Sequence, residues 1–254
     1  MPVNQIHVVE GLDMTRFEQG STLIVVLMIV LLITIVGTLA IRQSISSLKL
    51  VSNNQMQTLL LQNADAVLVR FQQPETTQRI AGANGIVGFF KNEDNWNKEL
   101  VFCFKGNTPF DLSNASWLYW QNSTKQTQLM ATDGGACRTN DISSGRSQVV
   151  TQVHIKRAAS ATQPFTDLAR GTDANNAKTE NSMRLQVQVT SVMKGLVTNP
   201  SVDLFDENTG CLNKSIQPPS GIQGLIACLR EKNILYSTQV AEYRFLSDFE
   251  PSGS

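Results

Sequence analysis

The sequence predicts an α+β protein in which one very long N-terminal helix packs on an antiparallel β-sheet. Two observations lead to this prediction. An uncharged run, Ser21–Ile41, continues past Arg42 into a helical pattern with no strong breaker before Pro74. After Pro74, several segments alternate apolar and polar residues with a period of two, as strands with one buried face do.

The first half of the helix, residues 21–41, has the length and composition of a membrane span. At about 1.5 Å per residue it is roughly 30 Å long, the thickness of a bilayer's hydrocarbon core. The alternative is a secretory signal peptide cut after Ala40, because Thr38-Leu39-Ala40 is an acceptable small-x-small site. The length of the run and its hardly basic flank favour the membrane span.

The second half of the helix, residues 42–73, is amphipathic, and Pro74 ends it because proline cannot continue a helix. We expect one helix from about Thr22 to Gln72, with Gly37 as the point where it is weakest. A head must cover the apolar stripe, since its spacing of mostly three and four residues places it on one side of the helix. The stripe consists of Ile45, Leu48, Val51, Met56, Leu59, Leu60, Ala64, Val67, Leu68 and Phe71.

The remaining residues, 74–254, predict a single β-rich head whose buried sheet face packs on that stripe. A short helix is expected over Gly221–Glu231, and polar, glycine-containing loops over residues 122–127, 131–135 and 171–176. The predicted strands are Leu100–Lys105, Ser116–Gln121, Val149–Arg157, Met183–Val192 and Thr238–Leu246.

The four cysteines all follow the apolar run, and they predict disulfides if the head is exported. Three pairings are possible, and proximity along the chain favours Cys103–Cys137 and Cys211–Cys228. Reduced core cysteines are the alternative. A zinc site is poorly supplied, because the chain has two histidines and no Cys-x-x-Cys pair.

Neither charge nor motif indicates catalysis, and we expect no enzymatic activity, no metal and no cofactor. Lys plus Arg equals Asp plus Glu, 21 each, which gives no field for nucleic acid. His154 is interpreted as a tolerated strand residue, and the acidic segment 203–208 as a solvated loop rather than a calcium site. Trp117 and Tyr119 are expected in the core, and Trp120 on the opposite, more exposed face of its strand.

A known family can be recognised around the start of the helix. The sequence Gly20-Ser21-Thr22-Leu23-Ile24, its apolar continuation and the segment 37–44 resemble the processing site and N-terminal helix of type IV pilins and secretion pseudopilins. PilX-type minor pilins are the most similar, over roughly residues 19–69. The resemblance implies a type IV pilin-like fold, and cleavage by a prepilin peptidase between Gly20 and Ser21 with methylation of the new amine.

The resemblance also implies which residues pack in a fibre, namely Thr22, Leu23, Ile24, Val25 and Gly37. Most major pilins have Glu where this chain has Val25, the fifth residue after the cut. A carboxylate in lipid is costly and is kept only for a partner. Its absence predicts a subunit at or near the tip.

The leader, residues 1–20, is not basic enough to set the expected orientation, since it has one Arg against three acidic residues. A start at Met14 would leave a seven-residue leader of the type IV kind. We therefore expect that Met14 is the true start.

The resemblance implies a minor pilin, held in the inner membrane as a precursor with its head in the periplasm and then exposed on the surface pilus. Its expected roles are pilus assembly, twitching motility, adhesion and DNA uptake. The implied partners are other minor pilins, the major pilin, the prepilin peptidase, the inner-membrane assembly platform and a tip adhesin; DNA is only weakly indicated. The alternatives are a type II secretion pseudopilin and a membrane-anchored adhesin or DNA-binding module.

Overall fold

A computed structural model describes residues 18–106, 109–121, 123, 126–130, 135–143, 148–158 and 183–245. Its contacts divide the chain into two compact units, Met1–Asn54 and Gln55–Ser254. The expected leader lies almost entirely outside the described residues, as do the expected loop 171–176 and most of 131–135. The helices are α1 Glu18–Phe71, α2 Pro74–Ala81, α3 Ile86–Lys91, α4 Pro200–Asp203 and α5 Leu225–Glu231; the strands are β1 Glu99–Phe104, β2 Ser116–Gln121, β3 Gln126–Met130, β4 Val149–Arg157, β5 Met183–Met193 and β6 Tyr236–Phe245.

Helix α1 includes Gly37 and Arg42 without a break and ends two residues before Pro74 is reached. The sequence analysis did not predict the helices directly after Pro74, where α2 begins and α3 follows. A proline that ends one helix is also a favourable first residue of the next helix. The backbone N–H of a first helical residue has no partner within the helix, so nothing is lost when proline lacks it. Both short helices bury apolar side chains: Ile80, Ile86, Val87 and Phe90.

The sheet of the second unit has six antiparallel strands in the order β3-β2-β1-β4-β5-β6. The five predicted strands are present; two have the predicted bounds, and the ends of the other three differ by one or two residues. The sequence analysis missed β3, because Gln126-Thr-Gln-Leu-Met is a short and mostly polar edge strand that begins within the predicted loop 122–127. The predicted C-terminal helix is present but shorter, as Leu225–Glu231.

One side of the sheet, here called the helix face, packs on α1, α2 and α3. Leu100, Val153, Ile155 and Val187 lie on it together with Phe71 of α1, and all are fully or almost fully buried. Their alternation with polar neighbours is the reason that these segments form strands, since an apolar row on one side needs a cover. This part of the fold agrees with the α+β prediction of a long helix packed on an antiparallel sheet.

The opposite side of the sheet, here called the loop face, is also covered at its centre, so the expectation of a single buried face was wrong for β4 and β5. Residues 204–234 lie over Cys103, Val150 and Val192, and bury Leu204, Leu212 and Leu225 with them. Polar side chains on this face are therefore buried as well, among them Gln152, His154, Gln188 and Thr190. Burial of polar groups requires hydrogen-bond partners, and the partners define the polar centre described below.

Candidate assembly interface

The described side chains of α1 from Thr22 to Gln55 are exposed. An 18-residue stretch of the helix has a mean hydropathy of 3.1, and none of that stretch is buried. The helix is therefore long and apolar enough to cross a membrane. Leu23, Ile33 and Val36 each expose about 64–65% of their surface. Apolar surface of this extent is typical of a segment that contacts lipid or other protein.

Two threonines in the middle of this apolar segment, Thr34 and Thr38, are compatible with a non-aqueous environment. Thr34 Oγ1 donates to the Leu31 carbonyl and Thr38 Oγ1 to the Ile35 carbonyl, both at 2.8 Å. A hydroxyl without a partner would cost several kcal/mol in hydrocarbon. Because the helix accepts both hydroxyls itself, the segment has no need of water at these positions.

The residues expected at the processing site lie at the beginning of this helix. Gly20 and Ser21 are in helical conformation within the first turns of α1, which begins at Glu18. Thr22, Leu23, Ile24 and Val25 follow it with exposed side chains, and Val25 exposes 53% of its surface. The structure thus places an apolar side chain, and no carboxylate, at the fifth position after the expected cut.

Gly37 is the smallest residue of the apolar segment. A Cβ atom built there would meet nothing within 4 Å. No contact within the described chain therefore requires a glycine at this position. A glycine in a membrane helix allows another helix to approach closely.

The apolar stripe of the amphipathic half of α1 has residues in both compact units. Leu60, Ala64, Val67 and Phe71 are buried, and Met56, Leu59 and Leu68 are partly buried. Ile45, Leu48 and Val51 instead expose 49%, 66% and 51% of their surface. These three residues, here called the uncovered stripe, add to the apolar surface that is open to other chains.

The polar centre of the head is a buried carboxylate, Glu99, at the first position of β1. Its Oε1 lies 2.6 Å from His154 Nδ1, and both side chains are almost completely buried. The Ser215 hydroxyl donates to Oε2 at 2.8 Å, and the Ile216 amide donates to both oxygens at 3.1 and 3.3 Å. Glu99 thereby joins β1 and β4 to the segment that covers the loop face.

Gln152 determines which nitrogen of His154 has the proton. The Gln152 Oε1 accepts from the Cys137 amide at 2.9 Å, and its Nε2 donates to the Leu212 carbonyl at 2.5 Å. The same Nε2 lies 2.9 Å from His154 Nε2, which must therefore accept. The proton is then on Nδ1, where it is donated to Glu99. His154 is consequently a structural residue of β4, and it is buried and hydrogen-bonded through both ring nitrogens.

This centre is not arranged for catalysis. A general base has to reach a substrate proton, whereas both ring nitrogens of His154 are occupied and the side chain is inaccessible. The sequence analysis missed Glu99, since nothing in the local pattern marks it: its partners are 55 and 116 residues away. Within the described residues, no group of His, Cys, Asp and Glu could hold a metal ion.

One disulfide joins the sheet to the segment 135–143, and the other joins two parts of the covering segment 204–234. Cys103 of β1 bonds to Cys137, and Cys211 bonds to Cys228 of α5. This is the pairing favoured by proximity along the chain. Loops of 34 and 17 residues correspond to about 3–4 kcal/mol of stabilisation each in the chain-entropy treatment.

The remaining sequence candidates have structural partners. Asp203 pairs with Lys232 at 2.6 Å, and Arg157 stacks 3.8 Å from the centre of the Trp96 ring. Asp206 accepts from the backbone of Thr209 and Asn208 in a tight turn, and these hydrogen bonds lower the pKa of its carboxyl, with the Thr209 amide as the largest cause. Both acidic residues thus have roles within the loop.

The expected placement of the aromatic residues of β2 is only partly met. Trp117 is half-buried against the core of the helix face. Tyr119 and Trp120 are half-buried as well, so Tyr119 is not a core residue.

Residues 19–69 of the chain match the protein family PilX N-terminal. Comparison with curated proteins and with solved structures gave no match. The matched residues include almost all of α1, and so the apolar segment, the uncovered stripe and the covered turns. PilX proteins are structural pilins and not a known enzyme family. The long apolar helix, the antiparallel sheet and this match together support a PilX-type minor pilin as the interpretation of the chain.

Proposed function

We propose that the chain is a minor pilin that is cut after Gly20 and promotes assembly of a type IV pilus from a complex at or near the fibre tip. The observation that carries this proposal is the continuous helix of residues 22–55, exposed throughout and matched over its length to the PilX N-terminal family. In this proposal, residues 1–20 are the leader, 21–41 the membrane half, 42–73 the amphipathic half and 74–254 the periplasmic head.

The proposed mechanism is an exchange of surroundings rather than a reaction. In the inner membrane, the apolar segment satisfies its own backbone hydrogen bonds, and lipid covers its side chains. In the fibre, the equally apolar helices of other pilins take the place of lipid. Since neither environment contains water, the free energies of the two states are close, and packing at small residues such as Gly37 selects the partner. An assembly platform can then drive the transfer in either direction.

The position at the tip is supported by Val25. A charged side chain at this depth would need a partner chain to neutralise it. A subunit with valine there requires no such partner, and can therefore be inserted before any other. It initiates the fibre, and the other minor pilins and the major pilin follow. Motility, adhesion and DNA uptake would then depend on it through the pilus.

The proposal can be tested by complementation of a deletion strain with the wild-type gene or with Gly20→Leu. We expect the wild type to restore surface pili and Gly20→Leu not to, although its head is unchanged. Gly82→Leu is the matched control, because Gly82 is exposed and a Cβ there meets nothing closer than 3.7 Å. Immunogold labelling of the head should appear at fibre ends.

Three outcomes would contradict parts of this proposal. Normal piliation with Gly20→Leu would contradict the claim that cleavage after Gly20 is needed. Immunogold label along the whole shaft would contradict the claim that the chain lies at the tip. A deletion that impairs protein secretion and leaves pili intact would assign the chain to a type II secretion machine instead.

A further inference from the structure

A pocket of about 360 Å³ opens on the loop face of the head, next to the polar centre. Its size lies near the lower end of the range of about 300–1,000 Å³ that is typical of small-ligand sites. Three strand residues form the floor of the pocket. Glu99 pairs with Leu118 on β2 and with Lys156 on β4, so the three side chains lie in one row on the same face of the sheet. Trp120, two residues further along β2, lies on this face too and lines the pocket.

The far wall of the pocket is held by the buried carboxylate. Ser215 and Gln217 line it, and the hydrogen bonds of Glu99 to Ser215 and Ile216 keep this segment in place. Gln217 Nε2 also donates to Gln186 Oε1 of β5 at 3.1 Å. The pocket is therefore formed in the folded head, and a ligand would not have to order it.

The chemistry of the lining combines an aromatic side chain with polar groups. The indole of Trp120 is half-buried, and the Asn97 side chain is exposed at the rim. Within the part of the chain that the structure describes, the Lys156 ammonium forms no ion pair. Glu99 already accepts hydrogen bonds from three groups, so its charge belongs to the fold and is not offered to a ligand.

The charges indicate which ligand fits. Lys156 is positive and the neighbouring Glu99 negative, so the pocket has no net charge to attract an anion such as nucleic acid, whose binding depends on several basic groups. A sugar ring has one apolar face, which an aromatic side chain can cover, and hydroxyls that both donate and accept. Trp120 provides the first kind of contact, and Asn97, Lys156 and Gln217 provide the second.

We propose that this pocket binds a short, neutral saccharide, with the sugar ring stacked on Trp120 and its hydroxyls bound by Asn97, Lys156 and Gln217. The site concerns the head alone, and it does not depend on whether α1 enters a fibre. In a surface pilus it would give the head a direct contact with glycans on another cell.

The test measures saccharide binding to the purified full-length chain in micelles of a detergent without a sugar headgroup. The probes are lactose, N-acetyllactosamine, cellobiose and maltose, followed by saturation-transfer NMR and tryptophan fluorescence. We expect at least one probe to bind saturably, and Trp120→Ala to weaken it about tenfold or more, which corresponds to ~1.4 kcal/mol. Lys156→Gln, which preserves a hydrogen-bonding end, should weaken it less than Lys156→Ala.

Trp96→Ala is the matched control, because Trp96 is an exposed tryptophan that stacks on Arg157 and does not line the pocket. The Trp96→Ala variant should bind the saccharide as tightly as the wild type does. Circular dichroism identifies any variant that fails to fold. Trp120→Phe provides a second, milder variant that should retain most of the binding. The proposal is overturned if no probe binds the folded wild type, or if binding survives Trp120→Ala.

Discussion

Removal of the Glu99 carboxylate should be among the most destabilising single changes in the head. Glu99→Ala leaves three donors without an acceptor: His154 Nδ1–H, the Ser215 hydroxyl and the Ile216 amide. Each unsatisfied buried group costs about 1–3 kcal/mol. Water entering from the adjacent pocket can satisfy the two donors of the half-buried segment, whereas His154 is inaccessible. We therefore expect a loss of about 3–5 kcal/mol, from the unsatisfied donors together with the cavity that the missing side chain leaves.

Glu99→Gln changes the charge and the hydrogen bonding at this position but leaves the side-chain volume almost unchanged. The amide has nearly the size of the carboxylate, but one of its ends must donate. That end would face either His154 Nδ1–H or the two donors of the covering segment, so one donor–donor contact remains whichever way the amide is turned. We expect a loss of about 1–3 kcal/mol, smaller than for alanine.

Urea unfolding of the full-length chain in micelles, followed by tryptophan fluorescence, measures these losses. The three tryptophans all lie in the unit Gln55–Ser254, so the signal reports the head and not the apolar helix. The matched control is Glu207→Ala, an exposed glutamate, which should stay within about 0.5 kcal/mol of the wild type. A loss below about 1 kcal/mol for Glu99→Ala, or an equal loss for Glu207→Ala, would refute the assignment of Glu99 as the polar centre.

Three further predictions concern the packing of the helix and the acidic turn. Leu60→Ala should cost about 2–5 kcal/mol because Leu60 is fully buried, whereas Leu61→Ala, at 45% exposure on the same helix, should cost well under half of that in the same urea titration. Gly210→Ala should cost about 1–3 kcal/mol, since a Cβ would lie 2.5 Å from the Asp206 carbonyl oxygen; an unchanged midpoint would contradict this close approach. The pKa of Asp206 is held below its usual value by the Thr209 backbone amide, so its contribution is complete above pH 3.8 and is lost as the pH falls through the lowered, folded-state pKa. Thermal melts of the wild type and of Asp206→Ala should therefore differ at neutral pH and converge in acid, and a difference that grows in acid would contradict the sign.

The features of the fold that depend on local pattern could be predicted from the sequence. The apolar run and the stripe after it define α1, and period-two alternation defines β4 and β5, because both patterns repeat within a window of ten or twenty residues. The strand β3 could not be found in this way. Its residues are mostly polar, and pairing with β2 rather than hydrophobic burial places them in the sheet.

The features that depend on distant parts of the chain were missed. The alternating polar residues Gln152 and His154 indicated a solvated face, whereas residues 204–234 cover them. No local signal connects Glu99 with Ser215 over 116 residues, so neither the polar centre nor the pocket beside it could be predicted.

The central claim is that the apolar helix begins a mature subunit at Ser21. Mass spectrometry of the N-terminus, in membrane and in sheared-surface fractions, tests it most directly. The account predicts an N-methylated Ser21 as the first residue in both fractions. A first residue of Ile41, released as a soluble protein, would show that the helix is a secretory signal and would contradict the assembly function. A chain in the surface fraction that still has its residues before Ser21 would contradict the claim equally.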